Sequence, residues 1–322
     1  MDCTKTLALL GALLLSFGSI AEAQGNKSPK ILPPVYQNEA GALSYTPDEQ
    51  GNRIPDFSYC GYRAGEQAIP TVDVKVTVAA RKGDATRRIQ AALDYVAALP
   101  MGTDGFRGTV LLEKGLFEVG GSLYMQASGV VLRGSGTGPN GTTLIGAGDS
   151  RETLITVRGK NDKVVADPQK VTNPYVPVNA FSIQVPEKEK FKVGDKVVIR
   201  RPSTLKWIQT IGADHFGGGV TALGWKPNQR DIEWERTIKA IDAQGLWLDA
   251  PLTTALDSSF GGGTVASCTW KGRLARVGIE NLQLISAYDL SNPKEEGHRW
   301  VAFSVEFVEV RRAQGKPATV IY

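Results

Sequence analysis

The chain is poor in the side chains that transition-metal sites and disulfide scaffolds need. Its 322 residues include only three cysteines, two histidines and three methionines. The two histidines, His215 and His298, are too few for a His-rich transition-metal site, so Ca²⁺ held by carboxylates is the metal that the composition leaves open. Cys60 and Cys268 lie outside the N-terminal apolar segment, and their flanks show no disulfide-framework spacing. We expect two buried thiols, with a Cys60–Cys268 disulfide as the alternative.

A run of basic residues is also lacking. The formal net charge is +4, and the lysines and arginines are interspersed with apolar and acidic residues. This pattern gives little support to nucleic-acid binding. A mild positive charge is compatible with an acidic polysaccharide as partner.

The one long apolar run lies at the N-terminus. Lys5 precedes an apolar stretch from Leu7 to Ile20, and Ala21-Glu22-Ala23 has the small-x-small pattern of a cleavage site. We therefore predict a signal peptide over residues 1–23 and export to the periplasm, the cell surface or the extracellular space. The alternative is an uncleaved N-terminal anchor.

One amphipathic helix stands out in a chain with 36 glycines and few helical patterns. The residues Ile89, Leu93 and Val96 form its apolar stripe. Asp84 occupies the position of an N-cap, and Pro100 ends the helix. A solenoid exposes its first turn, and such a helix is suited to cover it.

Short β-branched strands, separated by glycines, follow between Thr109 and Ile145. They are too short for an ordinary sandwich, and they predict a right-handed parallel β-helix whose inward side chains stack from turn to turn. A short-stranded barrel is the alternative. The same pattern resumes at Val277–Ile285, which predicts one pair of rung strands, and Trp300–Val305 predicts the start of the next rung.

Longer strands interrupt this pattern. Phe191–Arg200, Trp234–Asp242 and Leu246–Asp249 are β-rich, and Ala243-Gln244-Gly245 has the chemistry of a hairpin turn. We predict a small antiparallel β-barrel inserted into the solenoid, on a face that often carries binding.

These patterns divide the chain into five segments. They are a signal peptide (1–23), an extended lead-in (24–71), the β-helix cap and first rungs (72–158), the inserted β-rich domain (159–271) and resumed rungs with an open end (272–322). Because no polar capping element follows the last rung, we expect a truncated solenoid, the N-terminal part of a longer protein. A short protein that pairs its open end with another chain is the alternative, and a non-functional gene remnant is a third hypothesis.

Four motifs resemble the pectate-lyase-like superfamily of secreted right-handed β-helix proteins. They are the helix Asp84-Ala85-Thr86-Arg87-Arg88-Ile89-Gln90-Ala91-Ala92, the rung from Val110 to Phe117, the V-x-L-x-G-x-G run from Val130 to Gly136, and Gly278 to Leu282. The resemblance implies a polysaccharide-active protein, lyase-like on acidic, uronic-acid-containing glycans. A non-catalytic glycan-binding or adhesin module and a glycoside hydrolase remain as alternatives, since this fold carries all three. No matching catalytic constellation is found. The resemblance places the site on the outer face of the middle rungs, and we expect most of those rungs to lie beyond residue 322.

Two groups of residues are candidates for catalysis. Asp214 and His215 lie in a loop before a glycine run, where a histidine could act as a base; a surface histidine without a role is the alternative. Asp231, Glu233 and Glu235 alternate along one strand face. This row could hold Ca²⁺ or provide an acid/base pair, or it could be a solvated strand face.

Aromatic and basic residues are candidates for substrate binding. Trp207, Trp225 and Trp234 could form a platform for sugar rings, or belong to the core of the barrel. Arg200 and Arg201 could clamp a uronate carboxylate, or protect the edge of a sheet.

Overall fold

The computed structural model describes residues 33–60, 62, 67–215, 224–292 and 294–309, in two compact units that divide after Thr46. The predicted signal peptide lies outside the described residues, as does the segment 310–322. Within the described part, no helix is both long and apolar enough to cross a membrane.

The first unit contains a short hairpin that the sequence did not predict. Strands β1 (Val35–Gln37) and β2 (Leu43–Tyr45) pair antiparallel. The Asn38 side chain accepts hydrogen bonds from the backbone amides of Ala40 and Ala42, at 3.1 and 2.9 Å. The lead-in is therefore structured by its turn residues.

The second unit contains three parallel sheets, and each receives one strand from each of three successive passes of the chain. We call one such pass a coil. The strand β3 (Val74–Val78) precedes the three coils and adds a fourth strand to one sheet. The first coil contributes β4 (Gly108–Leu112), β5 (Gly115–Val119) and β6 (Leu123–Met125), and the second contributes β7 (Val130–Arg133), β8 (Thr142–Gly146) and β9 (Ile155–Arg158). The third coil, much later in the sequence, contributes β19 (Gly278–Glu280), β20 (Gln283–Ser286) and β21 (Phe303–Glu306). The sheet orders are β19-β7-β4-β3, β20-β8-β5 and β21-β9-β6.

In-register pairing stacks the apolar side chains of successive coils on one another. Leu144 pairs with Phe117 on one side and with Leu284 on the other, and Ile155 pairs with Leu123 and Phe303. These residues belong to one hydrophobic cluster. The predicted stacking of inward side chains is confirmed for these ladders.

Val131 does not join the inward ladder of its neighbour Leu132. Successive side chains of a strand point to opposite faces, and Val131 packs with Val72 and Phe106 in a separate cluster. The outer face of this sheet is thus also covered. Trp300–Val305 also differs from expectation, because its strand β21 completes the third coil and does not begin a new one.

The predicted helix is confirmed as α1 (Thr86–Ala98), and its stripe Ile89, Leu93 and Val96 is buried. Its N-cap is Ala85, so the prediction of Asp84 as N-cap is wrong by one residue. The Asp84 carboxylate nevertheless accepts from the amides of Thr86 and Gly120, at 3.0 and 3.1 Å. One carboxylate thereby joins the start of the helix to the turn after β5.

An antiparallel sheet lies in sequence between the second and third coils. Its strands are β10 (Val164–Val165), β11 (Gln169–Lys170), β13 (Ser182–Ile183), β14 (Lys196–Arg201), β15 (Ile232–Asp242), β16 (Gly245–Leu248) and β18 (Thr264–Thr269). Their order in the sheet is β10-β18-β14-β15-β16-β13, with β11 also paired to β18. The strands β12 (Tyr175–Val176) and β17 (Leu256–Asp257) form a separate pair, and the helix α2 (Leu205–Thr210) follows β14. The hairpin predicted between β15 and β16 is confirmed.

This inserted sheet has its own hydrophobic core, and two residues of the second unit that precede β3 make contacts in the same region. Ile199, Trp234 and Ile238 are among the buried residues of that core. Asn52 accepts a hydrogen bond from the Tyr175 hydroxyl at 2.8 Å, and the rings of Tyr59 and Phe181 meet edge to face at 5.1 Å. Asn52 thus contacts β12, and Tyr59 contacts the residue that precedes the edge strand β13.

Leu144→Ala should lower the free energy of unfolding by about 2–5 kcal/mol, because it empties the middle of a buried ladder. Leu116→Ala is the control, since this leucine is 61% exposed on the neighbouring strand; its effect should stay within about 0.5 kcal/mol. Urea unfolding of the full chain measures both. Equal effects would contradict the stacked interior.

Candidate functional site

Two of the three predicted tryptophans meet beside α2, in the segment between β14 and β15, and the third does not. The rings of Trp207 and Trp225 stack at 6.0 Å with 28° between their planes, and both residues are half-buried. Trp234 is 6% exposed within the hydrophobic core, and its indole donates to Thr253 at 2.9 Å. The platform hypothesis thus applies to the pair, and the core alternative is correct for Trp234.

Local structure holds both rings of the pair. Trp207 lies in α2, where Thr204 caps the helix by accepting a hydrogen bond from the Trp207 amide. The Trp225 amide donates to the Ala213 carbonyl at 2.8 Å, just beyond the end of α2. The rings therefore come from two segments joined by backbone hydrogen bonds.

Arginines flank the tryptophan pair on both sides. The guanidinium of Arg201 lies 4.5 Å from the Trp207 ring centroid, and that of Arg230 lies 5.4 Å from the Trp225 centroid. Arg201 is buried and one of its terminal nitrogens has no hydrogen-bond partner. Burial lowers the pKa of Arg201, while the Asp257 carboxylate opposes this change. The group remains a cation beside an aromatic surface.

A further cation–aromatic pair adjoins these residues. The Lys206 ammonium lies 5.3 Å from the centroid of Phe260, and the Thr204 hydroxyl donates to the Phe260 carbonyl at 3.1 Å. Among the described residues, the three cations form no salt bridge. We call this surface the Trp–Arg patch; it comprises Arg201, Lys206, Trp207, Trp225, Arg230 and Phe260.

The predicted pair Asp214 and His215 lies beside the patch. The Asp214 carboxylate is 2.9 Å from the ring nitrogen Nδ1 of His215, whose side chain is largely exposed. Asp214 directly follows Ala213, which binds the amide of Trp225. The carboxylate orients the imidazole and leaves its second nitrogen for another partner.

Arg200 binds a carboxylate of the chain itself, and its role as a clamp for substrate stays a prediction. Two of its nitrogens donate to one oxygen of Asp231, and the second Asp231 oxygen accepts from the amide and hydroxyl of Ser203 at 2.7 and 2.8 Å. Burial raises the pKa of Asp231, but these hydrogen bonds and Arg200 outweigh it and the pKa is lowered. The pair holds β14 to the start of β15.

The acidic row of β15 is likewise engaged in ion pairs. Lys163 lies 3.6 Å from Glu233 and 3.5 Å from Glu235, and Arg273 also binds Glu235. In the described ranges, no three His, Cys, Asp or Glu side chains converge as a metal site would require. These ion pairs are those of a charged strand face, and the catalytic role of Glu233 and Glu235 and the Ca²⁺ site stay predictions.

Cys60 and Cys268 are both thiols, with no disulfide between them. Both are half-buried, so the expectation of thiols is confirmed and the expectation that they are fully buried is wrong. Burial is the main cause that raises the pKa of Cys268, with the nearby Glu235 carboxylate acting in the same direction. A raised pKa disfavours the thiolate, so Cys268 is suited to packing and not to nucleophilic chemistry.

Sequence reasoning missed an open cleft on the third coil. Its volume is about 520 Å³, and the residues that line it are Leu284, Ile285, Ser286, Tyr288, His298, Arg299 and Trp300. Most belong to the long segment between β20 and β21. The signal available in the sequence was the length of that segment, which separates two strands of one coil and carries one of the only two histidines.

Arg299 anchors this segment to the earlier coils. Its guanidinium donates to the carbonyls of Gly120 and Gly121, at 2.7 and 3.2 Å, and to the Glu152 carboxylate at 3.0 Å. A side chain on Gly148 would collide with the guanidinium and would lie 2.7 Å from the Gly120 oxygen. Glycine at this position therefore makes room for the anchor.

Comparisons with known proteins found no matching family model and no matching curated sequence. Among solved structures, the chain is similar to the Gp54 tailspike of Acinetobacter baumannii bacteriophage AP22, solved with A. baumannii capsular saccharide (10% identity, TM-score 0.36, 70% of this chain and 29% of that chain). It is also similar to the tailspike gp61 of Pseudomonas phage phi297 (11%, 0.31, 61% and 26%) and to gp49 of Pseudomonas phage LKA1 (13%, 0.31, 62% and 27%). The chain spans under a third of each tailspike chain.

Asp231→Asn should lower the free energy of unfolding at neutral pH by about 1–3 kcal/mol, because it removes charged hydrogen bonds. The carboxylate pKa is lowered in the folded state, so its stabilisation is present above the unfolded pKa of about 3.9 and is lost as the pH falls through the folded value. The difference between variant and parent should therefore shrink in acid.

Urea unfolding of both chains across a pH series measures this difference. Glu233→Gln is the control, since Glu233 is exposed and should contribute within about 0.5 kcal/mol. A difference for Asp231→Asn that is constant at all pH values would contradict the assignment.

Proposed function

We propose that the chain is an exported β-helix protein that binds an acidic polysaccharide through the Trp–Arg patch. The observation that carries the proposal is the stacked pair Trp207 and Trp225 with Arg201 and Arg230 beside it. Aromatic rings suit the apolar faces of pyranoses. Guanidinium groups suit carboxylates, because their planar donors match the carboxylate oxygens.

The architecture supports the same proposal. Three parallel sheets built coil upon coil are what a closed right-handed parallel β-helix requires, and the antiparallel sheet enters as an insertion between two coils. Solenoids commonly present their binding surfaces on such insertions. Export, a closed helix and closure of the inserted sheet into a barrel are parts of this proposal.

Trp207→Ala or Trp225→Ala should weaken binding of oligogalacturonate or oligoalginate at least about 10-fold, which corresponds to about 1.4 kcal/mol. Arg230→Ala should weaken it and also reduce its salt dependence, because a cation is removed. Isothermal titration calorimetry with the full chain measures both effects.

Trp247→Ala is the matched control, because Trp247 belongs to the inserted sheet and bonds Asp242 on its own hairpin. Its affinity should equal that of the parent. Equal losses at Trp207 and Trp247, or no binding of either acidic probe by the parent, would contradict the proposal.

A lyase-like activity is the second candidate function, favoured by the Asp214–His215 pair beside the patch. In such a reaction His215 would take the proton α to the uronate carboxyl, a C4–C5 double bond would form, and the C4–oxygen bond would break with protonation of the leaving oxygen by water. Asp214 would position the imidazole, and the cations of the patch would stabilise the developing enolate. The product is an unsaturated sugar.

His215→Asn should lower the rate of unsaturated-product formation by about 10²–10⁴-fold, the range for loss of a general base. Ultraviolet absorbance during incubation with pectic, alginate and glycosaminoglycan substrates measures the rate. Gln209→Ala, an exposed change on α2, is the control and should not alter it. If the parent forms neither unsaturated products nor new reducing ends, the enzymatic candidate is wrong and binding alone remains.

A further inference from the structure

The cleft on the third coil combines two exposed aromatic rings with an oriented histidine. Trp300 and Tyr288 are 54% and 59% exposed. The Tyr288 ring lies 5.8 Å from the His298 ring, and the guanidinium of Arg151 lies 4.3 Å from the Trp300 ring. Aromatic rings together with a few polar groups are the lining that small-molecule sites use.

The imidazole of His298 is held in one orientation. Its Nδ1 lies 2.8 Å from a carboxylate oxygen of Glu295, three residues earlier. Because a carboxylate accepts from Nδ1–H, Nε2 is the remaining hydrogen-bonding atom of the ring. Two further polar atoms at this cleft, the Ser286 hydroxyl and Nε of Arg299, are buried without a hydrogen-bond partner.

Charge distinguishes this cleft from the Trp–Arg patch. Every cation at the cleft is matched by a carboxylate: Arg151 binds Glu296, and Arg299 binds Glu152. In the patch, by contrast, the cations form no salt bridge within the described ranges. The cleft therefore has no surplus positive charge with which to select an anion.

We propose that the cleft binds an uncharged, hydroxyl-rich sugar ring. The sugar's apolar face lies against Trp300 and Tyr288, and one hydroxyl donates to Nε2 of His298. Glu295 acts as a positioning residue, and Arg299 keeps the segment against the coils. The nature of the whole ligand also follows, and only this conclusion rests on the proposed function. If the patch binds charged sugars and the cleft neutral ones, the ligand is a heteropolysaccharide that contains both.

The six tryptophans of the chain allow both sites to be observed in one experiment. In full-length protein labelled with ¹⁵N at tryptophan, each indole N–H gives one resonance, which a Trp→Phe variant assigns. Trp300 reports on the cleft, and Trp207 and Trp225 report on the patch. Trp234 lies in the core and is the internal control. The probes are neutral hexaoses of glucose, galactose and mannose, and an oligogalacturonate.

The inference predicts that at least one neutral hexaose shifts the Trp300 resonance and leaves Trp207 and Trp225 in place. His298→Ala should weaken this binding about 10-fold. Glu295→Ala should weaken it less, and Glu295→Gln should restore it, because the amide oxygen still accepts from Nδ1–H. A merely structural role for Glu295 would not give this rescue of affinity.

The inference is overturned if no neutral hexaose shifts Trp300, or if oligogalacturonate shifts Trp300 more strongly than the neutral probes do. Failure of the proposed function is a separate result, in which oligogalacturonate leaves Trp207 and Trp225 unshifted while a neutral hexaose still shifts Trp300.

Discussion

In-register pairing between coils is the constraint on which the rest of the structure depends. A parallel pair places like positions side by side, so each inward side chain must fit those one coil before and one coil after, as Leu144 fits Phe117 and Leu284. The same register places corresponding turns of successive coils beside one another. Arg299 of the third coil can therefore donate to the carbonyl of Gly120 in the first coil. The helix α1 packs its buried stripe against the first strands, β3 and β4.

The candidate functional side chains lie in segments that are not part of the repeating coils. The antiparallel sheet inserted before β19 carries the Trp–Arg patch, and the long segment between β20 and β21 carries the cleft. Inward positions must stay apolar to stack, whereas these additions are free to hold aromatic and charged groups. Within the described residues the patch cations form no salt bridge, although the Asp257 carboxylate acts on Arg201, whereas each arginine of the cleft is paired with a carboxylate. We infer two surfaces that differ in the charge of the sugar each prefers.

Periodic features were predictable from the sequence, and side-chain partners were not. The stripe of α1, the short strands and the hairpin at Ala243 follow from local spacing and turn chemistry, which act within a few residues. Arg200 looked like a free clamp because Asp231, its partner, is distant in sequence. Trp234 and Trp225 looked alike, since no local pattern shows which ring the sheet buries. The cleft escaped detection because its walls form only when a long segment folds back on β20.

The most direct test of two separate sugar sites is a competition measured by calorimetry. The full chain is first saturated with a neutral hexaose that shifts Trp300, and oligogalacturonate is then titrated into it. The account predicts the same dissociation constant for oligogalacturonate as in the absence of the hexaose, because the two sugars occupy different surfaces. Mutual exclusion, seen as an apparent dissociation constant that rises in proportion to hexaose concentration, would contradict the account and place both sugars on one site.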